Sequence, residues 1–262
     1  MDLGISGRHY YLTGISGAIG SALTQVLVAE GAVVHGCARS DEGLRRLAAT
    51  LPAKAAALAQ LDVVDVTDEV ALAESVAEAG AVAGRLDGVV ACAGAGVTGS
   101  TLGSANEVWL QQFSVKVLGV LNLVRPAVTW LERSDRPRIV ILNGVTAHHP
   151  EPTMAVVSAC RAAVANLGRS LAVDLAGRVG VVVANLGAVQ SERQVARWQS
   201  LAPDQPYEDW LAGEVARRGI LVGRLAEPDE VARVLAFLLS PLAEYVSGTS
   251  VDIAGGSRGR AS

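Results

Sequence analysis

The chain has 262 residues, half of them hydrophobic, 18% charged and only 4% aromatic, with a net charge of −4. That length suits one large domain with a well-buried core. The acidic balance excludes the basic footprint that a nucleic acid or an anionic membrane would require.

The three cysteines, Cys37, Cys92 and Cys160, are widely spaced among small apolar residues. This predicts reduced, buried thiols in a cytoplasmic protein and no metal site. No signal peptide is expected from the N-terminal residues, and there is no uninterrupted apolar run of the roughly 18 residues that marks a membrane span.

In chain order, residues 9–13, 32–37, 57–62, 88–92, 138–142, 180–185 and 249–253 read as strands. Residues 18–30, 42–50, 68–83, 105–132, 154–176 and 228–240 repeat their apolar positions at helical spacing. Ser104-Ala-Asn-Glu107 has the form of a capping box, and Pro228 falls where a first helical turn begins. This alternation predicts an α/β fold, a doubly wound, Rossmann-type parallel sheet of about seven strands with helices on both faces. One domain then spans 1–262, with ligands at the carboxyl ends of its strands. Residues 188–222 break the rhythm, with Trp198, Pro203, Pro206, Tyr207 and Trp210 in a polar stretch. A lid or substrate segment is expected there, with a surface excursion as the alternative.

The first strand runs into Thr13-Gly14-Ile15-Ser16-Gly17-Ala18-Ile19-Gly20 and then a helix. Glycines at such a turn let a pyrophosphate approach a helix N-terminus, where free N–H groups and the dipole favour anions. Asp65-Val66 follows the third strand and Ala91-Cys92-Ala93-Gly94 the fourth, at strand ends where an adenine and a ribose would rest.

On these residues the chain resembles the short-chain dehydrogenase/reductase (SDR) family over nearly its whole length. The family's T-G-x-x-x-G-x-G loop is matched by Thr13, Gly14 and Gly20, with Ala18 at the middle glycine. Its Asp-Val pair falls on Asp65-Val66, and its N-N-A-G stretch on Ala91 to Gly94. Its P-G falls on Leu186-Gly187, with Ser191 where a threonine often meets the nicotinamide carboxamide. The tail from Gly223 through Gly256 is close to the family pattern. The resemblance implies cofactor contacts at Thr13, Gly14, Ser16, Ile19, Gly20, Asp65, Val66, Ala93, Gly94, Gly187 and Ser191. Arg161 would hold the ribose hydroxyls. NAD-preferring relatives carry a carboxylate at the Ala38 position; Arg39, next in line, can instead pair with a 2′-phosphate, so the expected cofactor is NADP(H). A solvated arginine is the alternative. The methyl of Ala18 and the absence of both asparagines predict a weakened site.

The same resemblance locates the family's catalytic positions. Val157 and Arg161 stand at the tyrosine and lysine of Y-x-x-x-K, Gly144 at the serine and Lys116 at the asparagine. Valine and glycine offer no exchangeable proton, and arginine is a poor acid. His148 and His149, just beyond Gly144, are candidate substitute acid/bases, or else two exposed loop histidines. Two cations at 116 and 161 imply an anionic small-molecule ligand; alternatively Lys116 runs out to solvent while Arg161 holds the ribose.

The expected function is thus an NADP(H)-site protein of oxidoreductase ancestry, with atypical or absent redox activity in a small-molecule pathway. A non-catalytic subunit beside an active SDR, a non-redox enzyme such as a cyclase, dehydratase or isomerase, and an NADP(H)-responsive binding module are the alternatives. Residues 105–132 and 154–176 carry the faces by which relatives assemble, which implies a homo-oligomer (dimer or tetramer) or a hetero-oligomer with an active SDR.

Overall fold

The computed structural model describes residues 2–94, 96–151 and 153–257. Seven strands form one sheet: β1 (His9–Thr13), β2 (Val33–Ala38), β3 (Ala59–Val63), β4 (Gly88–Ala91), β5 (Arg138–Gly144), β6 (Gly180–Leu186) and β7 (Thr249–Ile253). Every pairing is parallel, in the order β3-β2-β1-β4-β5-β6-β7. The chain winds outward from β1 to β3, then returns to start again at β4 on the other side. Loops leaving β1 and β4 therefore diverge, and a crevice opens between them.

Alternation along each strand feeds two cores. Tyr10, Leu12, Val140, Val182 and Ala184 face one side; Tyr11, Ile139, Ile141, Val181 and Val183 face the other. The central strands are buried on both faces and mostly apolar, whereas the outer strands β3 and β7 carry polar residues and are partly exposed. The first core is covered by α1 (Ala18–Ala29), α2 (Asp41–Thr50) and, near the C-terminus, a helix at Pro228–Leu239. A short turn of helix, α3 (Ala53–Ala56), follows α2. The second core is covered by α4 (Glu69–Ala83), by a long helix at Asn106–Leu131 and by another at Ala155–Asp174.

The Asn106–Leu131 helix has the length and apolarity of a membrane span. Its Leu123, Val124 and Ala127 are buried against the sheet and α4, as in a core helix. It comprises α5 (Asn106–Phe113), a single π turn at Ser114–Leu118 and α6 (Gly119–Leu131). The expected capping box at Ser104 does not form. Ala105 is the N-cap, without a side-chain bond, because Ser104 lies one residue early, in a turn closed onto the Ser100 carbonyl at 3.3 Å. The helix at Ala155–Asp174 is α7.

The segment 188–222, expected as a lid or substrate segment, is largely helical. It folds into α8 (Glu192–Leu201) and α9 (Tyr207–Arg218), a helical hairpin whose aromatics pack on each other. Trp198 meets Tyr207 edge-on and Tyr207 stacks on Trp210, while Gln190 donates to the Tyr207 hydroxyl at 2.6 Å. Prolines in the short connection and a mostly polar surface hid these helices from a reading based on apolar spacing. The last helix, α10 (Pro228–Leu239), starts at the expected proline, with Glu230 accepting from the Glu227 N–H at 2.9 Å.

Candidate active site

The crevice at the strand ends is a cleft of about 1190 Å³ that runs from α1 and the end of β2 to the α8–α9 hairpin. Its nucleotide end is shaped by backbone. Gly14 has φ of +65°, and a Cβ there would sit 2.7–2.8 Å from the Ala93 backbone. Only glycine permits this approach of the β1 and β4 loops. Gly20 is as constrained, since its Cβ would stand 2.5 Å from the Gly14 carbonyl oxygen. Gly17 caps α1 and, with Ala18, is exposed to the cleft, so the first N–H groups of the helix open onto it.

Thr13 is placed differently from the expectation. It is buried and does not line the cleft; its hydroxyl accepts from the Cys92 and Ala93 N–H groups at 3.2 and 3.3 Å. It ties the two loops together and acts on the cleft through them. Ser16, Ile19, Arg39, Asp65, Val66, Ala93, Gly94, Gly187 and Ser191 all line it. Asp65 accepts from the Thr67 N–H and hydroxyl and lies 3.8 Å from Arg39. Arg39 is largely exposed, and Arg46 joins it on the cleft wall. Cys92 is half-buried and lines the cleft, in contrast to the buried Cys37 and Cys160. Open helix N–H groups, a side-chain-free Gly14 and two arginines at the β2 end make a donor set that fits a phosphate-bearing dinucleotide.

At the other end side chains do the shaping. Val157 is fully buried in α7 and contributes nothing to the cleft surface. Arg161, one turn on, sends its guanidinium under Gly144. A Cβ at position 144 would lie 2.6–2.8 Å from the guanidinium Cζ, Nη1 and Nε, so any other residue there would displace Arg161. Nη1 of Arg161 donates to the Thr146 hydroxyl at 2.8 Å. The Asn143 side chain donates to the Arg161 carbonyl at 3.0 Å and to Asn185 at 3.1 Å, holding α7 against β5 and β6.

Lys116 occupies the π turn, a distortion that re-aims a helical side chain. It does not run out to solvent: it lines the cleft with Nζ beside Gly94, 3.2 Å from where a Cβ would stand. Burial, followed by the charges of Arg161 and Arg193, pushes its pKa down to about 8. Burial and Arg193 likewise bring Arg161 down to about 10. The two histidines part company. His149 lines the cleft, whereas His148 lies outside it with Nε2 3.4 Å from the Asn185 side chain.

The α8–α9 hairpin adds four arginines that the sequence reading missed. Arg193 and Arg197, four residues apart, share one face of α8, and Arg217 and Arg218 end α9; all four line the cleft. Glu214 takes Arg217, Arg218 and Arg197 at 2.8, 3.0 and 3.3 Å, and Glu151 takes Arg217 at 2.8 Å. Burial alone would raise the Glu214 carboxyl, but these arginines outweigh it and hold it at about 2. The i, i+4 spacing of Arg193 and Arg197 was the available signal. It goes unseen while no helix is expected in the segment.

A family model described as enoyl-(acyl carrier protein) reductase matches residues 14–258. The chain belongs to the short-chain dehydrogenase/reductase family. It is 30% identical to the 2,3-dihydro-2,3-dihydroxybenzoate dehydrogenase of Escherichia coli K12, covering 96% of this chain and 97% of that one. Among solved structures, a short chain oxidoreductase of Pseudomonas aeruginosa PAO1 described as containing an atypical catalytic center is 31% identical. It superposes with a TM-score of 0.89 over 100% of both chains, and its NADPH-bound form gives 0.88 over 98% of this chain and 100% of that one. L-sorbose reductase from Gluconobacter frateurii, complexed with NADPH and L-sorbose, gives a TM-score of 0.93 at 25% identity, with 98% of each chain covered.

Proposed function

We propose that this SDR is an NADP(H)-dependent oxidoreductase of a small molecule, in which Arg161 and Lys116 replace the family's hydroxyl-based catalytic centre. The fit of the Arg161 guanidinium into the space left by Gly144 carries this reading. Simple decay would leave a void or a misplaced side chain. Here the missing side chain at 144 and the large cation at 161 are complementary; Thr146 holds the guanidinium and Asn143 fixes the backbone that carries it. Relatives with NADPH bound and a neighbour with an atypical centre support the same reading. Arg39 and Arg46, with no carboxylate at Ala38, support the phosphorylated cofactor over NAD(H).

Such a cofactor, when bound, supplies or accepts a hydride. The chain's own residues then have two tasks. Arg161 offers N–H donors to a carbonyl oxygen and stabilises negative charge as it develops there. With a pKa near 10 it keeps its proton at neutral pH. Lys116, with a pKa near 8, is charged at neutral pH yet acidic enough to release a proton to that oxygen and regain it from solvent. His149 on the cleft wall is a further route to solvent for that proton.

Fluorescence titration of the purified chain with NADPH and NADH tests the cofactor assignment, and NADPH consumption with a panel of ketones and aldehydes tests the chemistry. NADPH is expected to bind more tightly than NADH. Binding of neither would end the oxidoreductase reading and leave a non-catalytic partner subunit as the leading account. We also propose that the chain self-associates through α5 to α7, where Leu110, Phe113, Leu118 and Val173 are exposed.

A further inference from the structure

The chain as a whole is acidic, yet its cleft concentrates positive charge at one end. Elsewhere buried charge is partnered: at the amino end of the central strand β4, buried Asp87 accepts from Arg8 at 3.0 Å and from Arg85 at 3.2 Å, and buried Arg138 donates to the carbonyls of Leu238, Glu244 and Val246. In the cleft the matching stops part-way. Glu214 and Glu151 are used up by Arg197, Arg217 and Arg218. Among the described residues, neither Arg193 nor Arg161 makes an ion pair with a carboxylate. Arg193 crosses from α8 to the loop after β4, where its guanidinium lies against Gly96; a side chain at that position would block it.

We infer that the cleft takes a substrate bearing an oxyanion, a carboxylate or a phosphate, and that Arg193 is the residue that binds that group. A planar guanidinium fork matches either oxyanion through paired hydrogen bonds. The α8–α9 hairpin holds Arg193 over the cleft. Glu214 and Glu151 pair with the neighbouring arginines but not with this one, which is left for the ligand. Burial and the charge of Arg218 lower the pKa of Arg193, and burial and Arg193 itself lower that of Arg161, as expected of cations whose counter-ion arrives with the substrate. Arg161 and Lys116 serve the reacting oxygen while Arg193 anchors the anion, so the two functions do not compete. In an acidic protein a cationic cleft also draws anionic substrates in and raises their local concentration.

The inference rests on the oxidoreductase reading for the nature of the cleft, and the test separates the two. Isothermal titration of the full chain, with saturating NADPH to block the phosphate subsite at Arg39, would compare benzoate, phenyl phosphate and neutral benzamide. One of the two anions is expected to bind at least about tenfold more tightly than benzamide, and which one identifies the oxyanion. R193M is expected to lose that preference by about 10- to 100-fold, the worth of a charge-assisted pair. R193E should push binding below that of benzamide. Equal binding of the three probes by the wild type, or a preference that survives in R193M, would overturn the inference. If NADPH itself does not bind, the titrations are run without it and with R39M as the background. An Arg193-dependent preference there would uphold the anion site while the oxidoreductase reading fails.

Discussion

At the nucleotide end of the cleft, backbone atoms set the shape: a left-handed Gly14, a Gly20 pressed on its carbonyl, and Thr13 bridging two loops. At the catalytic end, long charged side chains from α6's neighbouring π turn, α7, α8 and α9 converge, and backbone atoms mainly hold them in place. The difference shows how one fold can keep its cofactor end while its chemistry changes. A backbone cradle tolerates almost no substitution, since each added atom meets main chain that cannot move. Side chains can be exchanged in compensating pairs, and Gly144 with Arg161 is such a pair.

The largest effect is expected at the catalytic end. K116M should lower NADPH-dependent turnover by about 10²–10⁴-fold, the usual worth of a positioned general acid. K116R, which keeps the charge but not the acidity, should recover little. The pH profile of the wild type gives the sign. A lysine lowered to about 8 is protonated below that pH and neutral above it, so reduction should weaken as pH rises through about 8. That limb should be absent in K116M, and a wild-type rate flat from neutrality to the ordinary lysine range would remove Lys116 from the mechanism.

Next comes the backbone cradle. G14A combines a positive φ with a Cβ against the Ala93 backbone, and a strained residue of this kind costs about 1–3 kcal/mol. Thermal unfolding should shift down and NADPH titration should weaken together. Weakened binding at unchanged stability would mean that the loops adjust independently and that the contrast between the two ends is overdrawn.

The smallest and sharpest test is a double-mutant cycle between positions 144 and 161. G144S should be destabilising alone, because its side chain meets the Arg161 guanidinium. Combined with R161K, whose slimmer head restores room, it should cost less than the sum of the two single changes. The coupling expected for residues in contact is about 0.5–3 kcal/mol, read from denaturant unfolding. Strict additivity would argue that the two substitutions are unrelated.

Much of this protein was legible in the sequence because its information is local. Strands buried on both faces appear as apolar runs, and a glycine-rich turn between strand and helix announces a phosphate approach. The positions of Lys116, Gly144, Val157 and Arg161 could be found by counting along the family pattern. Boundaries at β5 and β6 came out short by one or two residues, since the strands continue through Asn143-Gly144 and Leu186 to deliver their ends to the cleft. The helices of 188–222 were missed because their stability comes from ring packing and a shared carboxylate more than from an apolar stripe.

By itself, then, the sequence determined the topology, the nucleotide cradle and the identity of the unusual residues, all of which follow from short-range pattern. Tertiary structure alone decided where the charges go. It turned Lys116 inward on a π turn, folded Arg161 under Gly144, left His148 outside the cleft and swung four arginines over it. Electrostatics explains why. A charge's role depends on its distance to every other charge and on what water it has lost, and residues 116, 161, 193 and 214 become neighbours only when the chain is folded.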